Sequence, residues 1–142
     1  MNFRDELARV IARDPRYSIE AYAFVIEALQ YARRAKLRKA SRDRESRRQG
    51  QTAAKSRSRK AERDAGHVSG RELCETARKL ALKHYGMLAA LVLSAWGVNS
   101  TSDLGDIVYN LIAAGDLEKT PSDSRTDFDG VFDLKIELGP GV

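Results

Sequence analysis

Grouped carboxylates hold divalent cations or trade protons. Five aspartates in the last third of the 142-residue chain, Asp103, Asp106, Asp123, Asp127 and Asp133, are close enough in sequence to attempt either. "DSRTDFDGVFD" at 123–133 comes nearest to a built site, because Asp127, Asp129 and Gly130 match the relative positions of a calcium loop. That register fails at both ends. It puts Arg125 at the first ligand position and Ile136 where a bidentate glutamate belongs. A looser Mg²⁺ site, and with it a metal-dependent enzyme, is the weaker alternative. The stronger reading is structural. Asp103 and Asp106 fall at the start of a predicted helix, where the exposed amides and the dipole favour negative charge. Asp123, Asp127 and Asp129 stand among Ser, Thr, Pro and Gly, residues that build turns by bonding their own backbone. Arg125 is the only cation between Lys119 and Lys135, so it is expected to pair with one or more of these carboxylates. On this reading Asp103, Asp106, Asp123, Arg125, Asp127 and Asp133 fix the C-terminal segment and present an acidic face to a protein partner.

Other chemistry finds little support. His67, Cys74 and His84 are the soft-metal candidates, but Cys74 and His84 lie about 280° apart around a helix and share no face. Paired-ligand spacing for zinc is absent. The chain has no glycine-rich phosphate loop, no G-x-S-x-G and no nucleophile–base pair. Asn99-Ser100-Thr101 matches a glycosylation acceptor, which carries little meaning without a secretory signal. No catalytic residue, metal or cofactor is assigned, and a non-enzymatic role is expected.

The charge is distributed unevenly. Residues 33–64 hold 14 Lys/Arg against 4 acids, whereas 101–142 hold 9 acids against 3 Lys/Arg. The formal net charge of +5 therefore belongs to one segment. From about Ala40 to Gly66 no aliphatic residue exceeds alanine, so ordering the stretch costs entropy with no burial to offset it. A disordered basic insert is expected at 40–66, helical only near Arg33–Lys39. Three roles suit it. It is a solvated loop, or it contacts RNA or DNA backbone, or it folds onto the acidic C-terminal region. In the nucleic-acid reading the contacts are Arg42, Arg44, Arg47 and Arg48, followed by Lys55, Arg57, Arg59 and Lys60.

The elements that must position these residues are mostly helical. Phe3, Leu7, Val10 and Ile11 make one stripe that Asp14-Pro15 ends. Ser18 caps a second helix, with Tyr17 and Tyr22 at staple positions. "VSGREL" at 68–73 is a capping box, Ser69 with Glu72, opening a third helix that ends at Gly86. Met87 to Trp96 is apolar nearly all round and is expected to be the centre of the core. "NSTSD" at 99–103 caps a fifth helix with Leu104, Ile107, Val108, Leu111 and Ile112 inward. Leu117–Thr120 is a short strand candidate. In "VFDLKIEL" at 131–138, Phe132, Leu134, Ile136 and Leu138 alternate with polar residues, which predicts a second strand. The expected fold is one mainly α domain over 1–142: about five helices with a small C-terminal β-hairpin, winged-helix-like, interrupted by the insert. The recognition helix of such a fold, Asp103–Ala114, has no Lys or Arg and would be repelled by DNA phosphates.

"DPRY" and "EAYAFVIEAL" at 14–29, "HVSGREL" at 67–73 and "YGMLAALVLSAWGV" at 85–98 carry a family likeness, completed by "DLGDIVYNLI" at 103–112 and "DSRTDFDGVFD" at 123–133. Together they resemble a family of small conserved proteins of unknown function from planctomycete and verrucomicrobial bacteria. The likeness covers most of the chain outside the insert. It implies a bacterial cytoplasmic protein and brings no activity with it. The lone cysteine, the charged N-terminus and the shortness of the longest apolar run also lead to an expectation of a soluble, cytoplasmic chain without a membrane role. The expected function is a protein-interaction module of unknown target whose insert contacts nucleic acid non-specifically; the alternative is an RNA-, DNA- or ribosome-associated binding protein.

Overall fold

A computed structural model describes residues 3–48, 67–115, 117 and 123–138. Helix α1 (Phe3–Arg13) buries Leu7 and Val10, and the chain turns at Asp14-Pro15 into α2 (Ile19–Arg48). The Ser18 hydroxyl accepts from the Ala21 amide at 3.4 Å, the expected cap. Tyr17 and Tyr22 pack edge to face, centroids 6.4 Å apart, which fixes the angle at which α2 leaves the turn.

Helix α3 (Gly70–Tyr85) starts in the Ser69–Glu72 capping box and ends at Gly86, whose φ of 52° suits a residue without a Cβ. It runs antiparallel to α2: Glu27 meets His84 at 3.2 Å and Lys36 meets Glu72 at 2.8 Å. Ala21, Phe24, Val25, Ala28 and Ala32 of α2 and Leu73, Cys74, Ala77 and Leu80 of α3 are all buried, so this pair builds much of the core. Among the described residues, Ala32 is the last one buried on α2.

A 3₁₀ turn (Gly86–Leu88) leads into the short α4 (Ala89–Ala95), and here the expected core centre is corrected. Only Ala89 and Leu93 of α4 are buried, while Met87, Leu88 and Leu91 are 76%, 60% and 68% exposed. A uniformly apolar sequence gives no side to bury, and so short a helix covers the core with one edge only. Gly97 brings the chain back against the first turn. It has a φ of +97°, and a Cβ there would strike the Arg16 carbonyl.

Helix α5 (Thr101–Ala113) begins in a second capping box, Ser100 with Asp103, and buries Leu104, Ile107 and Leu111. The C-terminal region departs from expectation. Among the described residues there is no strand, so the β-hairpin and the winged-helix arrangement are overturned. Arg125–Phe128 is a 3₁₀ turn, and Leu134–Leu138 is a helix, α6. The Asp133 carboxylate accepts from the Lys135 and Ile136 amides at 3.0 and 3.2 Å, a helix N-cap that the alternating pattern concealed. Leu134 and Leu138, four apart, are buried, whereas Ile136 between them is 76% exposed. That is a helical period, not a strand's. Of the other strand candidate only Leu117 is described; 118–120 lie outside the described residues.

The basic segment is also corrected in part. Helix α2 continues through 40–48, where disorder was expected, because Arg, Lys, Ala and Glu favour helical backbone even where nothing is buried. The rest of the insert, 49–66, lies outside the described residues.

Candidate functional site

Two charged regions come out of this fold. The first is a polar clamp. Asp103 and Asp106, three apart, and Asn110, four further on, share one face of α5 and meet the α1–α2 turn. Asp103 Oδ2 accepts from the amides of Asn99 and Ser100 at 2.9 and 3.1 Å, and its Oδ1 accepts from the Tyr17 hydroxyl at 2.7 Å. The same hydroxyl is 3.0 Å from Asp106 Oδ2, so one phenol proton lies between two carboxylates. Burial first, then the bonds to and charge of Asp103 and Asp106, push the Tyr17 phenol far above its ordinary pKa.

Arg125 closes the clamp from the C-terminal side, as its isolation in the sequence implied. Its Nε and Nη2 donate to Asp106 Oδ1 at 2.8 and 2.6 Å, Nη2 to the Ser102 carbonyl at 2.7 Å, and Nη1 to Asp129 at 3.0 Å. Burial works to lower the Arg125 pKa, but the bond to and charge of Asp106 outweigh it and the net shift is upward. A Cβ on Gly105 would lie 2.6 Å from Phe128 and 2.8 Å from the Arg125 guanidinium; only glycine lets the turn come this close. The buried Thr101 hydroxyl ties the same turn down, donating to the Phe128 carbonyl at 2.6 Å.

At the other end Asp14 takes Arg16 Nε and Nη2 at 2.8 and 2.7 Å and Asn110 Nδ2 at 2.9 Å. The Arg16 bonds hold Asp14 well below the usual carboxylate range. Asn110 also donates to the Tyr22 hydroxyl at 3.1 Å.

The five sequence-predicted aspartates therefore do not converge. Asp103 and Asp106 share the clamp. Asp123 sits 3.2 Å from His67 Nε2, Asp127 accepts from the Ser124 amide at 3.0 Å, and Asp133 caps α6. Among the described residues no three His, Cys, Asp or Glu side chains are grouped to hold a metal. Sequence reasoning missed the roles of Asp14, Arg16, Tyr17 and Asn110. The signal was the tyrosine: a Tyr buried at a staple position must still find a partner for its hydroxyl.

Beside the clamp, His67, Ser69, Tyr109, Asp123 and Phe128 help line a cleft of about 70 Å³. That is room for about two waters and well short of a small-molecule pocket. Cys74 is fully buried, and burial pushes its thiol up to about 12, which leaves it protonated and inert.

The second region is the basic end of α2. Arg33, Arg34, Arg38, Lys39 and Arg42 are exposed along it. Arg44, Arg47 and Arg48 continue the helical backbone, their side chains outside the described set; Lys55, Arg57, Arg59 and Lys60 lie outside the described residues altogether. Lys36 is used differently. Its Nζ donates to the His67 carbonyl at 2.6 Å and pairs with Glu72 at 2.8 Å, latching α2 to the start of α3. Burial opposes ionisation of Glu72, but the hydrogen bonds from Lys36 and Ser69 prevail and hold it below its ordinary value. From Lys36 to Arg48 the helix extends about 18 Å as an arm.

No protein-family model, curated protein or solved structure matches the chain. The site is read from its own geometry. Among the described residues no helix is long and apolar enough to cross a membrane.

Proposed function

We propose that this chain is a non-catalytic, cytoplasmic binding module that contacts nucleic-acid backbone through the basic arm of α2. The observation that carries the reading is the run of exposed Arg33, Arg34, Arg38, Lys39 and Arg42 on a helix whose last buried residue, among those described, is Ala32. Exposed charge at this density, with Leu37 the one large apolar side chain exposed among these cations, suits phosphate rather than a protein surface. The clamp supports a structural role for the acidic residues, since their carboxylate oxygens are spent on fixed donors. The inert Cys74 and the small cleft support a binding role over a catalytic one. The cytoplasmic setting and membership of the bacterial family that the sequence resembles are parts of the same proposal.

A second reading has its own observation. Residues 86–98 carry no charge and expose Met87, Leu88 and Leu91, a surface suited to a protein partner. A pull-down from cells with and without nuclease separates the two. Loss of the captured material on nuclease treatment, and on replacing Arg34, Arg38 and Arg42 with Glu, supports the arm. Capture that survives both and is lost with Leu91→Glu supports the apolar face.

A further inference from the structure

Resting on the nucleic-acid reading, we infer that the arm's target is duplex DNA, entered through the major groove, with Lys36 as a positioning residue and not a phosphate contact. At about 100° per residue, with Arg33 taken as zero, Arg34, Arg38, Arg42 and Lys39 fall near about 100°, 140°, 180° and 240° around α2. The exposed cations therefore occupy roughly two-thirds of the circumference. Lys36 lies near about 300°, in the remaining sector. It is there that it bonds the His67 carbonyl and Glu72. The buried Ala28 and Ala32, lower on α2, fall near about 220° and 260°, so Lys39 is exposed on the body-facing side because the helix has passed the body by that point.

The distribution selects among nucleic acids. A helix laid along one strand needs cations on one side only. Cations on opposite flanks fit a helix held between two rows of phosphates. The B-form major groove, about 12 Å wide, admits a helix about 10–12 Å across. The A-form major groove of duplex RNA is deep and too narrow. A single strand is bound largely by stacking on aromatic rings, and 32–48 contain none. Tyr31, at the base of the arm, has its ring under Lys83, whose Nζ lies 5.5 Å from the centroid. The arm also lacks Asn and Gln between 33 and 48, so it offers no bidentate pairing to adenine.

Lys36 sets the direction in which the arm leaves the body. Its replacement should weaken binding by misaiming the arm while leaving the number of phosphates engaged unchanged.

The test measures affinity of the full chain for a mixed-sequence DNA duplex, one of its single strands and the matching RNA duplex across a salt series. The DNA duplex should bind about tenfold or more tighter than either competitor, and its log affinity should fall with log salt by about 0.9 per phosphate engaged. Arg34→Gln and Lys39→Gln, on opposite flanks, should each reduce that slope by about 1. Lys36→Met should weaken binding several-fold with the slope unchanged. Equal or tighter binding to RNA duplex or single strand overturns the duplex-DNA inference and leaves the nucleic-acid reading standing. A slope change for only one flank, or for Lys36→Met, overturns the groove geometry. Failure of the unaltered chain to bind all three defeats the parent reading as well.

Discussion

The clamp and the arm are both dense in charge, and they use it in opposite ways. In the clamp Asp14, Asp103 and Asp106 face Arg16, Tyr17, Asn110 and Arg125 at hydrogen-bonding distance; apart from the exposed Arg16, the groups are buried or half-buried, and most of the bonds join elements distant in the chain. In the arm and at its base the cations Arg33, Arg34, Arg38, Lys39 and Arg42 are exposed and follow Ala32, the last buried residue among those described on the helix. Charge that is paired and half-buried rigidifies, because each group removed leaves another desolvated and unmatched. Charge that is exposed adds little to stability and remains free for a partner. The two regions should therefore separate under mutation: one governs melting, the other binding.

The largest expected effect is on the arm. Reversing Arg34, Arg38 and Arg42 to Glu should cut nucleic-acid affinity on the order of 10³-fold, measured by anisotropy at low salt. The melting temperature should stay within a degree or two of the original, since exposed changes rarely exceed about 0.5 kcal/mol. A large drop in melting temperature would mean that the arm packs on the body, and the contrast would collapse.

Next comes the clamp. Arg125→Ala leaves Asp106 half-buried beside Tyr17 and should cost roughly 1–3 kcal/mol, seen as a clear fall in melting temperature with affinity for nucleic acid untouched. Millimolar Mg²⁺ or Ca²⁺ should not restore it. Rescue by either ion would reopen the case for a cation site among the aspartates.

The clamp should also impose a pH window. Asp14 and Asp129 have folded pKa values below their ordinary ones, so their contribution is present above about pH 4 and lost as pH falls through the folded values. Tyr17 is shifted upward, so its contribution is complete below about pH 10 and declines as pH rises above that. Melting followed from pH 2 to 11, about the accessible range, should fall at both ends, and Tyr17→Phe should lessen the alkaline limb. Arm-dependent binding should show no matching acid limb near the Asp14 transition. Loss of binding and melting together there would tie the two regions to one event.

The smallest effect is the most diagnostic for the C-terminal fold. Ile136→Ser should change stability by less than about 0.5 kcal/mol, because the residue is 76% exposed. Leu134→Ala is its control, at about 2–4 kcal/mol. Equal costs would restore the strand pattern that the helix displaced.

The parts of the fold legible in the sequence were those written locally. Ser69 with Glu72 announces α3 as a capping box, and the cap-rich "NSTSD" announces α5; both helices open in capping boxes, the second formed by Ser100 with Asp103. Asp133 offered the same signal, but the alternation of Phe132, Leu134, Ile136 and Leu138 masked an i, i+4 pair in a helix of one turn and a half. Residues 87–96 misled for the opposite reason: a segment apolar throughout has no period from which to read a buried side. The candidate site was legible only through Arg125, whose isolation among acids implied pairing. Its other members come from far apart in the chain. Asn110 meets Asp14, and Tyr17 meets Asp103, only once α5 is packed across the first turn. The arm was visible as charge, and as helix only as far as Lys39; beyond that, helical propensity acts without burial and leaves no hydrophobic trace.

The most direct test of the central claim is the salt dependence of DNA-duplex binding by the intact chain and by the Arg34, Arg38 and Arg42 to Glu variant. The account expects the intact chain to lose affinity steeply between about 50 and 200 mM salt, with a log–log slope of about −4 to −5, and the variant to lose measurable binding. A slope near zero, or a variant that binds as the intact chain does, would contradict it.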